Sequence, residues 1–201
     1  MNKRFSCISE RGGQAVKWLV PFWNISKSSV LFCATLFTAY YVWKVIVIAD
    51  PASPEVYCLG YDLTSFFTWI SMVEAKTVVY LLNTVGQDYT LDGTVIVGQE
   101  GAPGIRILWG CTAVKQFFIF ACLMLVAPGN RRKKASYFLK GILAIYLLNL
   151  VRIGIISCYV GKNAQLFEPM HRWSYWLMYA FLYLLWIIWD DFMCNCRKKE
   201  R

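Results

Sequence analysis

Three side chains of the kinds used in covalent catalysis occupy related positions in this 201-residue chain. Cys111 begins one hydrophobic segment, Arg152 lies near the end of the next, and His171 lies just before the last. A thiolate is a nucleophile, a guanidinium stabilises negative charge, and an imidazole exchanges protons near neutral pH. Together these groups could attack a carbonyl, hold the resulting oxyanion and protonate a leaving amine. Such chemistry requires the hydrophobic segments to bring all three to one place.

The composition indicates a membrane protein. The chain is 58% hydrophobic and 16% charged, which is too apolar for an ordinary soluble domain. Its net charge of +9 comes from basic residues gathered at the termini and in one loop. That clustering is typical of cytoplasmic loops of membrane proteins. We therefore expect a lipid bilayer, and not nucleic acid, as the basic protein's partner.

Hydropathy predicts about four membrane spans. A span needs about 20 apolar residues to cross roughly 30 Å of hydrocarbon. The predicted spans are residues 30–49, 111–127, 137–160 and 173–193. The run Arg131–Lys134, the basic leader 1–29 with its possible amphipathic segment, and the basic tail 194–201 should all be cytoplasmic. This multi-pass topology in the cytoplasmic (inner) membrane places Cys111, Arg152 and His171 at the extracytoplasmic face.

The region between the first two predicted spans is of a different kind. Residues 62–85 look helical but contain Glu74 and Lys76, and a span there would place the thiol in the cytoplasm. We therefore expect a non-spanning helix that lies in the interface or re-enters. Residues 88–108 follow with an Asp92-Gly93 turn signal, which predicts an extracytoplasmic β-hairpin or meander. The predicted fold is an all-α integral membrane bundle over 30–193 with this small sheet attached.

Each candidate residue has a physical reason for its role. Placed in the first turn of a helix, Cys111 should have a lowered pKa, and N–H groups from Thr112 and Ala113 onward could receive an oxyanion. An arginine inside a span costs about 2.5–3.5 kcal/mol, so Arg152 needs a partner. Asn149, one turn earlier on the same face, could orient the Arg152 guanidinium.

The only histidine of the chain is His171, which we expect in the loop before the last span. It could take the thiol proton and later give it to the leaving amine. Glu168 and Arg172 are nearby candidates to support it. No metal or cofactor is implied, because one histidine without an acidic cluster does not make a metal site.

The eight cysteines leave a redox alternative open. Cys58, Cys111 and Cys158 could reach an oxidising compartment, so a membrane thiol oxidoreductase is one alternative hypothesis. The absence of a Cys-x-x-Cys motif argues against it. A disulfide to Cys111 would favour it, since a nucleophile must be free.

The strings Trp109-Gly110-Cys111-Thr112-Ala113, Asn149-Leu150-Val151-Arg152-Ile153 and Met170-His171 resemble the exosortase/archaeosortase family. The likeness covers about residues 60–192. Two features depart from the family pattern: Thr-Ala follows the thiol where Ser-Gly is common, and the chain is short. The sequence therefore resembles a small, divergent member.

The resemblance implies a membrane cysteine protease or transpeptidase. Cys111 would be the nucleophile, Arg152 the electrostatic stabiliser and His171 the general acid/base, with Asn149 and Thr112 in support. The substrates implied are exported proteins that end in a short motif, a transmembrane helix and a basic tail, and that are passed to an acceptor after cleavage. The alternative hypothesis is a non-catalytic membrane assembly or binding subunit, in which Arg152 serves packing or lipid headgroups.

Overall fold

A computed structural model describes the chain apart from residues 1–15, 51–52, 99–103, 161–162 and 200–201. It is mostly helical, with two small sheets. The α-helices are α1 (Val16–Ile46), α2 (Thr64–Thr84), α3 (Val114–Val126), α4 (Arg131–Val160) and α5 (Phe167–Lys199). The strands are β1 (Val47–Ala49), β2 (Val56–Cys58), β3 (Tyr61–Asp62), β4 (Thr90–Asp92), β5 (Val95–Val97) and β6 (Ile105–Arg106).

Three of the described helices are long and apolar enough to cross a membrane. These segments are Lys27–Ile46, Arg131–Val160 and Phe167–Met193. The chain is therefore an all-α membrane protein with small sheets. The segment predicted as a span at 111–127 contains an α-helix of only 13 residues. At 1.5 Å per residue α3 is about 20 Å long, which is less than the hydrocarbon thickness.

Helix α3 is short because its start is recessed into the bundle. The chain forms a 3-10 turn at Trp109–Cys111 and becomes helical only at Val114. This start lies beside Arg152, whereas α4 continues for eight more residues to Val160, about 12 Å further. The other end of α3 leads through Pro128, whose carbonyl accepts from the Trp189 indole of α5, to the basic start of α4.

The core between these helices is formed by large apolar side chains. Helices α1, α3, α4 and α5 share a cluster that includes Phe32, Phe120, Ile145 and Trp189. Gly141 of α4 lies directly against the Phe120 ring of α3, where an added Cβ would collide with the ring. The fully buried Phe120 therefore sets how closely α3 approaches α4.

Both sheets lie at the end of the bundle that holds Cys111. Strands β4, β5 and β6 form the predicted meander, joined at Asp92-Gly93 with Gly93 at a φ of 59°. The side chains of β5 and β6 pack with α2 and the C-terminal part of α4. The first sheet was not predicted: residues 47–49, expected as the end of a span, pair with β2 instead.

Substituting Gly141 by alanine is expected to destabilise the protein. The added methyl group should cost about 1–3 kcal/mol of overpacking against Phe120, which exceeds the roughly 1 kcal/mol gained in helix propensity. Gly154→Ala is the matched control on the same helix, because its Cβ would meet only Cδ2 of Leu82 at 3.8 Å. Thermal unfolding in detergent should give a lower Tm for Gly141→Ala only. Equal Tm values would contradict this account of the α3–α4 contact.

Candidate active site

The backbone carbonyl of Cys111 is the meeting point of the site. It accepts a hydrogen bond from Nη2 of Arg152 at 2.8 Å and one from Nδ2 of Asn149 at 3.1 Å. Asn149 and Arg152 lie three residues apart on α4 and are both buried. The sequence suggested that Asn149 orients the Arg152 guanidinium, but the structure gives Asn149 a hydrogen bond to the Cys111 carbonyl instead. Both side chains donate hydrogen bonds to the carbonyl of the same peptide group.

A buried carboxylate from α2 interacts with Asn149 and with the backbone that follows Cys111. Glu74, 2% exposed, accepts a hydrogen bond from Nδ2 of Asn149 at 3.2 Å. It also accepts one from the backbone N–H of Ala113, at the start of α3. The backbone from Cys111 to Ala113 is thus held between α2 and α4. The sequence showed Glu74 as an obstacle to a membrane span but gave it no role in the site.

The N–H groups proposed for an oxyanion are already in use. The N–H and the hydroxyl of Thr112 both donate to the carbonyl of Trp109, at 3.2 and 2.7 Å, which closes the 3-10 turn. The N–H of Ala113 is bound to Glu74. Arg152, in contrast, has two buried donors without a hydrogen-bond partner, Nε and Nη1. Free donors for an anion therefore lie on Arg152, and not on Thr112 or Ala113.

The electrostatics of Cys111 also differ from the sequence expectation. Burial raises the pKa of the Cys111 thiol, and the charge of Glu74 acts in the same direction. A hydrogen bond between the Leu108 backbone and the Cys111 thiol lowers that pKa, as does the charge of Arg152, but together they do not reverse the shift. The expected lowering by a helix start is wrong because Cys111 precedes the helix and the helix start faces a carboxylate.

His171 reaches the site through an aromatic contact. It lies inside α5, not in the loop where we expected it, and its ring stacks on Phe167 at 5.2 Å between centroids. Its edge contact with Tyr175, one turn later, has a centroid distance of 4.9 Å. The Tyr175 ring also lies under the Arg152 guanidinium at 4.8 Å, and its hydroxyl donates to the carbonyl of Gly110.

Tyr175 therefore links all three predicted residues. One ring contacts Arg152 and His171, and its hydroxyl binds the peptide group preceding Cys111. Sequence reasoning missed it, although its position four residues after His171 on an amphipathic helix was a usable signal. Lys115 was missed too; its ammonium lies 5.1 Å from the centre of the Tyr175 ring. Glu168 and Arg172 are exposed.

Two cavities flank this site. One of about 340 Å³ lies between α2 and the β4–β6 sheet, and Trp109 is part of its wall. The other, of about 460 Å³, lies between α1, α3 and α5 and is lined by Lys115 and Tyr175 among mostly apolar residues. The described residues contain no group of three His, Cys, Asp or Glu side chains that could hold a metal. The five cysteines whose side chains are described are free, Cys58, Cys111 and Cys158 among them.

The fold and the site define a class: helical membrane proteins with a recessed cysteine whose backbone is bound by an arginine and an asparagine. The family model for Transmembrane exosortase (Exosortase_EpsH) matches residues 56–188, more than half of the chain. The chain belongs to the exosortase family. Neither the curated proteins nor the solved structures include a significant match. The family is generally one of cysteine-type transpeptidases that sort exported proteins with C-terminal signals.

The buried Glu74 predicts a specific pH dependence of stability. Burial raises its pKa to about 7 from 4.5, against the effects of Ala113, Arg152 and Asn149. The folded state therefore keeps a proton that the unfolded state has lost, so stability falls as pH rises from about 4.5 to 7. The loss is about 3 kcal/mol at 1.36 kcal/mol per pKa unit.

In Glu74→Gln this part of the pH dependence should disappear. The measurement is Tm in detergent at pH 5 and pH 8 for both proteins, with the exposed Glu55→Gln as control. A difference in Tm between the wild type and Glu74→Gln that is the same at both pH values would show that Glu74 does not titrate in this range.

Proposed function

We propose that this protein is a membrane cysteine transpeptidase that removes C-terminal sorting signals from exported proteins and passes them to an acceptor. The single observation that carries the proposal is the pairing of Cys111 with Arg152. The guanidinium binds the Cys111 carbonyl with Nη2, and its Nε and Nη1 remain unpaired and buried. Two buried donors without protein partners are costly, and an anion formed during reaction would satisfy both.

The proposed reaction is acyl transfer. His171 accepts the proton of the Cys111 thiol, and the sulfur attacks a peptide carbonyl of the substrate. The oxyanion that forms is held by Nε and Nη1 of Arg152. The C–N bond then breaks, the leaving amine takes the proton from His171, and a thioester remains on Cys111. An acceptor amine or water attacks the thioester and regenerates the thiol.

The positions around Tyr175 support these roles. Tyr175 keeps the Arg152 guanidinium and the His171 ring on one side of the turn that carries the thiol. The raised pKa of Cys111 means that the free thiol is mostly protonated at neutral pH. A base is therefore needed to generate the nucleophile, which supports a role for His171 as proton acceptor.

We further propose that the site faces the extracytoplasmic side of the cytoplasmic (inner) membrane. Cys111 and both sheets lie at one end of the bundle, and the basic run Arg131–Lys134 begins α4 at the other. Basic ends of spans remain in the cytoplasm, which supports this orientation. In it, α2 would be an accessory helix whose role is to deliver Glu74. The cavity beside Trp109 is a suitable entrance for the substrate peptide.

Removing the nucleophile should abolish processing. In Cys111→Ala and Cys111→Ser, cleavage of a co-expressed exported protein with a motif, transmembrane helix and basic tail should fall to background. Cys58→Ser is the matched control, since Cys58 is also a half-buried free thiol at this end of the molecule. The measurement is the ratio of processed to full-length substrate on immunoblots. Wild-type processing by either Cys111 variant would refute the proposal.

Arg152→Lys separates catalysis from a purely structural role. A lysine carries its three donors on a single nitrogen, so it cannot bind the Cys111 carbonyl and also place donors where Nε and Nη1 of Arg152 lie while stacking on Tyr175. We expect the processing rate to fall about 10²–10³-fold, as for loss of an oxyanion donor. Arg132→Lys, at an exposed arginine near the start of α4, should leave the rate unchanged. A non-catalytic membrane subunit would tolerate both substitutions.

A further inference from the structure

The structure places a buried carboxylate at the turn that carries the nucleophile, with hydrogen bonds to two groups that fix this turn. Glu74 binds the Asn149 amide, and the same amide nitrogen binds the Cys111 carbonyl. Glu74 also binds the N–H of Ala113, two residues after the thiol. Without this carboxylate, the start of α3 would lose a partner. Asn149, which donates one of the two hydrogen bonds to the Cys111 carbonyl, would lose the group that orients its amide.

The charge of Glu74 has a second effect. Arg152 is 5% exposed, and its hydrogen bonds are to neutral groups, the Cys111 carbonyl and the Tyr175 side chain. A buried cation needs a negative charge nearby. Glu74 supplies one through its electrostatic interaction with Arg152, while Nε and Nη1 remain without a hydrogen-bond partner. A carboxylate hydrogen-bonded to those donors would have filled the position that the substrate oxyanion needs.

We propose that Glu74 is a positioning residue of the active site, which holds the Cys111 turn through Asn149 and Ala113 and balances the charge of Arg152 without occupying its free donors. The role rests on the proposed function of Cys111 and Arg152. It explains why a helix beside the membrane core keeps an acidic residue. It also assigns α2 a purpose in catalysis, because α2 carries no other group that contacts the turn through a hydrogen bond within the described residues.

The charged groups around Glu74 determine what its ionisation changes. Arg152 of α4 acts on it, and Glu74 in turn acts on the Cys111 thiol. The other elements packed on α2 are strands β2, β4 and β5, whose titratable residues are Tyr57, Cys58 and Asp92. The ionised Glu74 disfavours the thiolate. Above about pH 7, Cys111 should therefore be less reactive than it would be without the Glu74 charge.

The test compares thiol reactivity with turnover. Iodoacetamide alkylation of Cys111, followed by mass spectrometry of its peptide from pH 5 to 10, should show two inflections in the wild type, one of them near pH 7. Glu74→Gln removes the charge and turns one acceptor into a donor that faces Asn149. This variant should lose the inflection near pH 7 and alkylate about 2–10-fold faster at pH 8, while kcat for substrate processing falls about 10–100-fold with KM within threefold.

Because an unfolded chain would also expose the thiol and lose turnover, the test requires that Glu74→Gln is folded, shown by a Tm and a KM close to those of the wild type. Glu74→Asp keeps the charge and should retain the inflection near pH 7, and Glu55→Gln should match the wild type in both assays. An unchanged alkylation profile in Glu74→Gln, or unchanged kcat, would overturn the proposal. If Glu74→Gln does not fold, a wild-type profile without the inflection near pH 7 overturns it equally.

Alkylation does not depend on catalysis, so the two proposals fail separately. Processing that continues in Cys111→Ala refutes the transpeptidase assignment, whatever the alkylation profile shows. A wild-type enzyme that processes its substrate while Glu74→Gln behaves like it in both assays refutes only the role of Glu74.

Discussion

The carbonyl of Cys111 imposes the main constraint on this structure. The backbone from Trp109 to Ala113 is not α-helical, yet it lies about 12 Å below the end of α4. Irregular backbone enclosed by helices needs hydrogen-bond partners within the protein, because its neighbours there are mostly apolar. Asn149 and Arg152 satisfy the carbonyl, and Glu74 satisfies the N–H of Ala113. The polar residues in the bundle are therefore a condition for the recessed thiol.

The same constraint ties distant parts of the chain together. The turn with the thiol is bound by α2 through Glu74, by α4 through Asn149 and Arg152, and by α5 through the Tyr175 hydroxyl. Below it, α3 is fixed at a set distance from α4 by the contact of Phe120 with Gly141. The contacts that pack α3 against α4 therefore also affect where the turn lies. Substitutions that loosen the helix packing should also affect the position of the sulfur.

The parts of the site that follow from local rules could be predicted from the sequence. An arginine within an apolar segment needs a partner, and Asn149 shares its helix face, so both were identified. The Asp92-Gly93 turn was identified because only a few residue types adopt a positive φ. The family match to residues 56–188 confirms the resemblance that these motifs carried.

What the sequence could not provide were the tertiary contacts. Hydropathy predicted a helix that begins at Cys111. In the structure the helix begins at Val114, directly after Ala113, whose N–H is hydrogen-bonded to Glu74, 39 positions earlier in the chain. The sheet of β1 to β3 depends on a turn in which Leu59 has a positive φ of 50°, which is unusual for leucine. Span rules count apolar residues. They do not show that α3 begins only at Val114, after a 3-10 turn held by other helices.

The depth of the thiol has a consequence for the competition between water and an acceptor. The proposed thioester on Cys111 would lie among residues of α2, α4 and the β4–β6 sheet, and not at the end of a helix. Its lifetime would then depend on how fast an acceptor amine reaches the recess. In a shallow site, bulk water would reach the thioester freely and compete with the acceptor. If Cys111 is the nucleophile that we propose, its recessed position would favour transfer to an acceptor over hydrolysis.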